Sequence, residues 1–116
     1  MHELQVTHSI LQAVLQHASE SGASRVHSIW LQVGDLNDYR QEWIQKYFDL
    51  LSQATVAEGA RIAVERVPAS FLCHDCGREF SAELQAIDRL RCPACAGAEV
   101  SLEHGKEFLI RDMEVT

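Results

Sequence analysis

The sequence predicts an α+β fold in which two helices lie on a small three-stranded mixed sheet, with a cysteine-bearing ribbon inserted before the last strand. Three observations favour this fold. Apolar residues recur at helical spacing in two segments, they alternate in the segments assigned as strands, and all four cysteines fall between residues 73 and 95. With 116 residues, the chain can form one compact domain that carries a small module.

The two predicted helices are marked by apolar residues every three or four positions. The first covers Leu4–Ala18 and ends before Gly22. The second covers about Arg40–Gln53. Asp38 and Gln41 have the spacing of a capping box, so we expect them to close the N-terminus of the second helix.

Three strands complete the predicted domain. They cover Val26–Val33, Ala60–Val67 and Glu107–Val115, and Gly34 and Pro68 end the first two. Their alternation and the helix periodicity predict which side chains form the core: Leu11, Val14, Ile29, Leu31, Phe48, Ile62, Val64 and Ile110.

The position of the cysteines divides the chain into two predicted domains. Residues 1–70 and 105–116 form the α/β domain, and residues 71–104 form the inserted ribbon. A segment of this size has too little core to fold alone, so we expect a bound metal to supply much of its folding free energy.

Charge and hydropathy exclude several classes of protein. The net charge is −7 and the lysines and arginines do not cluster, which disfavours a nucleic-acid partner. No apolar run reaches the roughly 18 residues of a membrane span. The N-terminus lacks the basic region of a signal peptide. We therefore expect a cytoplasmic protein without a membrane association.

The cysteines form the strongest local motif, Cys-x₂-Cys-x₁₅-Cys-x₂-Cys, from Cys73 and Cys76 to Cys92 and Cys95. Two residues between cysteines let both sulfur atoms reach one tetrahedral Zn²⁺ ion, and four thiolates leave no open position for catalysis. The motif predicts a structural zinc ribbon, with a glycine after each knuckle to supply the tight turn. A pair of redox-active dithiols is the alternative.

His74 lies inside the first knuckle, and His104 follows the ribbon. We expect both to be exposed polar residues. The alternative is that one of them contacts a zinc ion or a transferred metal ion.

Met1, His2 and Glu3 form a second candidate metal site. With the initiator methionine retained, the amine, the backbone nitrogens and the His2 imidazole can close chelate rings around one ion. Nitrogen-rich coordination of this kind suits Ni(II) and Cu(II). Taken alone, a disordered terminus explains these three residues better than a metal site does.

Several motifs together resemble the hydrogenase nickel-incorporation family known as HypA/HybF. The resemblance spans nearly the whole chain. It combines the N-terminal Met-His-Glu with the four cysteines and with glycine-centred motifs at the end of the first predicted strand and before each of the other two. The matching segments are Met1-His2-Glu3-Leu4, Ser9-Ile10, Val33-Gly34-Asp35-Leu36, Glu58-Gly59-Ala60 and Gly105-Lys106-Glu107-Phe108.

This resemblance implies a nickel domain of two helices and a three-stranded sheet, plus a separate zinc-binding domain. It places the nickel ligand at His2, with Glu3 beside it and Ni²⁺ as a transported ion. It also implies two partners: a nickel-handling GTPase of the hydrogenase maturation pathway, and the NiFe-hydrogenase large subunit or another nickel enzyme such as urease. A homodimer is left open.

The chain departs from the family pattern at three places. Gln5 replaces a common serine, the segment 37–39 replaces small apolar residues, and Arg40 lies where some relatives carry an acidic residue near the nickel. These departures leave room for a specialised paralogue. The sequence carries no motif of an enzyme, and the alternative function is a zinc-ribbon adaptor for protein–protein interactions without nickel.

Overall fold

A computed structural model describes residues 2–81 and 90–116, apart from the His2 side chain. Within this part of the chain, the elements follow the order α1, β1, α2 and β2 to β6. Their bounds are α1 His2–Glu20, β1 Val26–Gly34, α2 Gln41–Leu51, β2 Arg61–Val67, β3 Ser70–Cys73, β4 Glu79–Ser81, β5 Val100–His104 and β6 Phe108–Val115. Two helices and a small mixed sheet confirm the predicted fold class.

The three-stranded sheet has the order β2-β1-β6. The N–H of Thr116 donates to Arg25 at one end of the β1–β6 pair, and the N–H of Gly34 donates to Glu107 at the other, so these strands are antiparallel. The N–H of Asp35, just after β1, donates to Val67 at the end of β2. The C-terminal ends of β1 and β2 thus lie side by side, so the two strands, which α2 connects, are parallel. Both β2 and β6 are therefore edge strands.

The core follows the predicted periodicity. Ile29 and Leu31 of β1 are fully buried, whereas Trp30 between them is 38% exposed. On α1 and α2, which pack against each other, the buried positions are three or four residues apart. Of the predicted core residues, Leu11, Val14, Ile29, Leu31, Phe48 and Ile62 are buried; Val64 and Ile110, on the two edge strands, are only half-buried.

The expected capping box of α2 is wrong. The N-cap residue is Arg40, which has an extended backbone and makes no side-chain capping hydrogen bond. Its carbonyl accepts the N–H groups of Trp43 and Ile44. Because the helix begins at Gln41, Asp38 lies two residues before the N-cap position and is exposed.

The cysteine segment contains a second, antiparallel sheet with the order β4-β3-β5. Phe71 at its centre is paired with Phe80 on β4 and Leu102 on β5. The rings of Phe71 and Phe80 are 5.9 Å apart, a distance typical of aromatic packing. β3 ends at Cys73, so this sheet fixes the position of the first cysteine.

Contacts between Cα atoms divide the chain into two compact units. The first comprises residues 1–32, 39–65 and 109–116; the second comprises residues 33–38 and 66–108. The second unit thus includes segments 33–38, 66–70 and 105–108, outside the ribbon predicted at 71–104. The predicted boundaries of independently folding domains, 1–70 with 105–116 and 71–104, remain a prediction.

In the second unit, Gly34 and Gly105 approach so closely that a Cβ atom on Gly34 would overlap the Gly105 backbone. The N–H of Leu36 donates to the Gly105 carbonyl at 2.9 Å. This contact explains why a glycine ends β1. No helix within the described residues is long and apolar enough to cross a membrane.

Candidate metal centre

Two knuckles of the same backbone geometry present the four cysteines. In the first, the carbonyl of Cys73 accepts the N–H of Gly77, and the N–H of Cys73 donates to Arg78. In the second, the carbonyl of Cys92 accepts the N–H of Ala96, and the N–H of Cys92 donates to Gly97. Each knuckle is therefore a tight turn closed by two backbone hydrogen bonds, with its first cysteine at the base.

The two knuckles differ in how they accommodate the left-handed residue of the turn. Gly77 has φ of 78°, as expected for a glycine in this position. In the second knuckle the equivalent residue is Ala96, with φ of 61°, so the prediction that Gly97 supplies the positive φ is wrong. A Cβ atom on Gly97 would meet the end of the Asp75 side chain, which can move, and would lie 3.2 Å from Cys95 Sγ, so this glycine leaves room beside the thiol.

The knuckles bring the four sulfur atoms together, all within 4.8 Å of one another. The Sγ atoms of Cys73 and Cys95 are 3.6 Å apart, as are those of Cys76 and Cys92. Four thiolates at about 2.3 Å from a tetrahedral zinc ion would be separated by about 3.8 Å. The donor set and its spacing therefore fit a zinc ion.

The cysteine thiols have strongly different affinities for protons. Burial opposes ionisation of Cys92, but the backbone N–H groups of Cys95 and Ala94 and two neighbouring thiols outweigh it and lower the pKa of Cys92 to about 7. The backbone N–H of Gly97 favours ionisation of Cys95, yet Cys73 and burial raise its pKa to about 12. All four groups can be thiolates at the same time only when a bound cation balances their charge.

The two histidines near the knuckles are exposed, and their side chains contact other groups. His74 Nε2 lies 2.8 Å from the hydroxyl of Ser101. His104 Nδ1 lies 2.8 Å from the carboxylate of Glu107, and its Nε2 is 3.9 Å from Glu79. The hydrogen bond with Glu107 raises the pKa of His104 against a smaller effect of desolvation. Both contacts agree with the expected exposed polar residues.

Of the predicted nickel ligands, His2 and Glu3 lie at the start of α1. Met1 and the His2 side chain fall outside the described residues; the backbone of His2 begins the helix. Glu3 is half-buried in the first turn, and its carbonyl accepts the hydroxyl of the buried Thr7. The structure does not test the nickel ligands, and we return to them as a proposal.

Sequence reasoning missed the interaction between α2 and the edge of β2. Gln41 and Gln45, one helical turn apart, hydrogen-bond to the backbone of Ala60 and Ile62. The four-residue spacing of two glutamines was visible in the sequence. However, surface helices commonly carry glutamine at this spacing, so the pattern alone does not indicate a role.

Comparison with known proteins identifies relatives over nearly the whole chain. Residues 1–115 match the family described as hydrogenase/urease nickel incorporation, metallochaperone, HypA. A hydrogenase maturation factor HypA from Dehalococcoides mccartyi strain 195 is 36% identical, with 99% of this chain and 94% of the relative covered. A protein of the same name from Caldanaerobacter subterraneus is 34% identical, with 99% of each chain covered.

Two solved structures share the fold. The solution structure of the Ni metallochaperone HypA from Helicobacter pylori superposes with a TM-score of 0.69, covering 97% of this chain and 96% of that one. A second structure, the solution structure of a HypA protein, superposes with a TM-score of 0.77, covering 100% of this chain and 97% of that one. Both are 19% identical in sequence, so they establish similarity of fold.

Proposed function

Because the chain belongs to the HypA family of hydrogenase/urease nickel-incorporation metallochaperones, we propose that it delivers Ni(II) during maturation of a NiFe-hydrogenase, urease or another nickel enzyme. The observation that carries the proposal is the match over residues 1–115, which includes both the N-terminal Met-His-Glu and the cysteine segment. In this role the chain binds and releases an ion and catalyses no reaction.

The four cysteines hold a structural Zn²⁺ ion in this proposal. Support comes from the Sγ spacing of 3.6 Å and from the alternation of buried and exposed ligands, Cys73 and Cys92 inside and Cys76 and Cys95 outside. Four sulfur ligands close the coordination sphere, so the zinc ion stabilises the second unit and is not exchanged for nickel.

Met1, His2 and Glu3 hold the transported Ni²⁺ ion. The start of α1 supports this, because the first N–H groups of a helix have no carbonyl partner four residues earlier. The backbone nitrogens of His2 and Glu3 are therefore free of helical hydrogen bonds, so they can release their protons to solvent and bind nickel alongside the His2 imidazole. Such a ligand set releases nickel when protonated, as a delivery protein requires.

The partners in this function are a nickel-handling GTPase of the maturation pathway and the large subunit of NiFe-hydrogenase or another nickel-enzyme client, in the cytoplasm. The acidic character of the chain, with a net charge of −7, favours basic surfaces on these partners. A homodimer is compatible with the function, and nucleic acid has no part in it.

The proposal is tested by nickel incorporation in cells that contain a NiFe-hydrogenase but lack their own copy of this chain. Restoring the chain should raise radioactive nickel in the hydrogenase large subunit to the normal level, whereas a His2→Ala variant should not. His8→Ala is the matched control, because His8 is an exposed histidine on the same helix and should restore incorporation fully.

Full restoration by the His2→Ala variant would contradict the nickel role of the N-terminus. If, in addition, the Cys92→Ala variant failed to restore incorporation, the alternative function of a zinc-ribbon adaptor would explain the result better. Excess nickel in the medium provides a further check, since it should bypass a delivery protein but not an adaptor.

A further inference from the structure

The outer edge of β2 is bonded by side chains from α2. β2 is an edge strand. Because successive residues of a strand direct their backbone N–H and C=O groups to opposite sides, those of Ala60, Ile62 and Val64 point away from β1. Gln45 donates from Nε2 to the Ala60 carbonyl at 3.2 Å and accepts the N–H of Ile62 at 2.7 Å. Gln41 donates to the Ile62 carbonyl at 3.1 Å.

These hydrogen bonds reproduce the pattern of a parallel strand. In a parallel bridge, one residue of the added strand donates to the carbonyl before its partner residue and accepts from the N–H after it. The Gln45 amide does this around Arg61, and Gln41 supplies the donor of the next bridge. The side-chain amides of Gln41 and Gln45 thus take the place of a neighbouring strand along this edge. The edge continues to the backbone of Val64, beyond these two side chains.

A groove of about 810 Å³ runs along this edge between α2 and β2. Its floor contains small residues, Gly59, Ala60 and Ala63, which leave room beside the strand. Its α2 wall carries Gln45 and two carboxylates, Glu42 and Asp49. Because the groove follows the edge of a strand, it suits an extended chain better than a compact ligand.

The charges of the groove indicate what kind of segment it accepts. The lining carries two carboxylates, Glu42 and Asp49, and one arginine, Arg61. Glu42 also pairs with Arg40 at 2.8 Å, in an exposed ion pair that a basic side chain of a ligand can replace. Asp49 also accepts the Nε2 of Gln45 at 2.8 Å, so a cation drawn to Asp49 would loosen the amide that covers the strand. A second copy of the chain, with its net charge of −7, would be repelled.

We propose that this groove binds an extended, basic segment of another protein, which replaces the Gln41 and Gln45 amides and adds to β2 as a parallel strand. Exchange of one set of hydrogen bonds for another is nearly neutral in free energy. The net affinity therefore comes from new bonds at Val64 and from Lys or Arg side chains at Glu42 and Asp49. This site is separate from the proposed nickel ligands, so its test needs no nickel.

The experiment selects binders for the full-length chain from a library of random linear peptides of about seven residues, the length of an ordinary strand. We expect the enriched peptides to carry Lys or Arg. In ¹⁵N-resolved spectra they should shift the amides of residues 60–64 and the side-chain amides of Gln41 and Gln45. Methylation of their backbone nitrogens should abolish binding, because an added strand must donate those hydrogens.

Paired variants test the charges. Replacing Glu42→Gln and Asp49→Asn together should weaken binding of the basic peptides by about tenfold, whereas the control pair Glu20→Gln and Glu114→Gln, which removes two exposed carboxylates elsewhere, should change it by less than about twofold. Three results would overturn the proposal: no enrichment, enriched peptides that shift other residues, or dimerisation of the chain that only the Glu42 and Asp49 changes abolish.

Discussion

Single residues decide how the two knuckles turn. Gly77 and Ala96 occupy equivalent positions, and both have a positive φ. For a residue with a Cβ atom, the left-handed region costs about 1–2 kcal/mol, whereas glycine adopts it freely. The second knuckle therefore carries a backbone strain that the first avoids.

This difference predicts opposite effects of two substitutions. Gly77→Ala should destabilise the cysteine segment by about 1–2 kcal/mol, and Ala96→Gly should stabilise it by up to about 1 kcal/mol, since the flexibility of glycine in the unfolded chain offsets part of the gain. Competition with a zinc chelator measures both. Equal zinc affinity of the Gly77→Ala variant and the unchanged protein would show that the turn is not strained.

The His104–Glu107 pair predicts a pH-dependent stability. The hydrogen bond with Glu107 raises the pKa of His104 above 6.5. The N–H of Gly105, helped by the contact with His104 and opposed by desolvation, lowers the pKa of Glu107 below 4.5. Because its pKa is raised, His104 stabilises the folded state below pH 6.5. This stabilisation is lost as the pH rises through the pKa that His104 has in the folded state. A lowered carboxyl pKa stabilises above pH 4.5 and is lost as the pH falls.

The pair should therefore contribute most between pH 4.5 and 6.5. We expect His104→Gln to lower the melting temperature modestly in this window, with a difference that shrinks as the pH rises to 8, because the pair is exposed and screened. Melting curves of both proteins across this range provide the measurement. A difference that stays constant from pH 5 to 8 would contradict the ion pair.

At the scale of elements, β1 and β2 determine the core of the first unit. The side chains of Leu31 and Ile62 are buried, whereas Trp30 is partly exposed between buried neighbours. Truncating Leu31 or Ile62 to alanine should lower the free energy of unfolding by roughly 2–5 kcal/mol each. Denaturant titrations should show a clearly smaller loss for Trp30→Ala, and the reverse order would mean that the strand faces are assigned backwards.

Periodicity predicted these elements well because burial and spacing are linked directly. The faces of α1, α2 and β1 follow from it, as does the alternation of Ala60 and Ile62. Periodicity failed for residues whose burial depends on the position of their strand in the sheet. Val64 and Ile110 are half-buried because β2 and β6 are edge strands, and sheet order is not encoded in local alternation. The α2 cap was misassigned because Arg40 adopts the extended N-cap backbone without a capping side chain.

The candidate site was likewise predicted only in part. Cysteine spacing alone indicated which four sulfur atoms would meet, since two residues between ligands suit a tetrahedral ion. Sequence could not indicate that Ala96 takes the left-handed position, or that Gly97 lies against the Asp75 carboxylate of the other knuckle. These facts depend on contacts between knuckles that are separated by fifteen residues in the chain.

For the whole molecule, the division into two units predicts separable unfolding. Cys92→Ala should release zinc and unfold the cysteine segment, while amide protection persists in α1, in α2 and in residues 26–32 of β1. Elemental analysis and hydrogen exchange measure the two effects. His74→Ala, in the same segment but bonded to Ser101, should keep its zinc. Full zinc content in the Cys92→Ala protein would remove the basis for a four-cysteine site.

The central claim is that the N-terminus of this chain carries nickel, and calorimetric titration of nickel into the His2→Ala protein tests it most directly. The protein must have a free N-terminus and no tag, because the proposed ligands include the terminal amine. We predict that nickel binding is lost, while zinc content and melting temperature match those of the unchanged chain. Unchanged nickel affinity in the His2→Ala protein would contradict the claim.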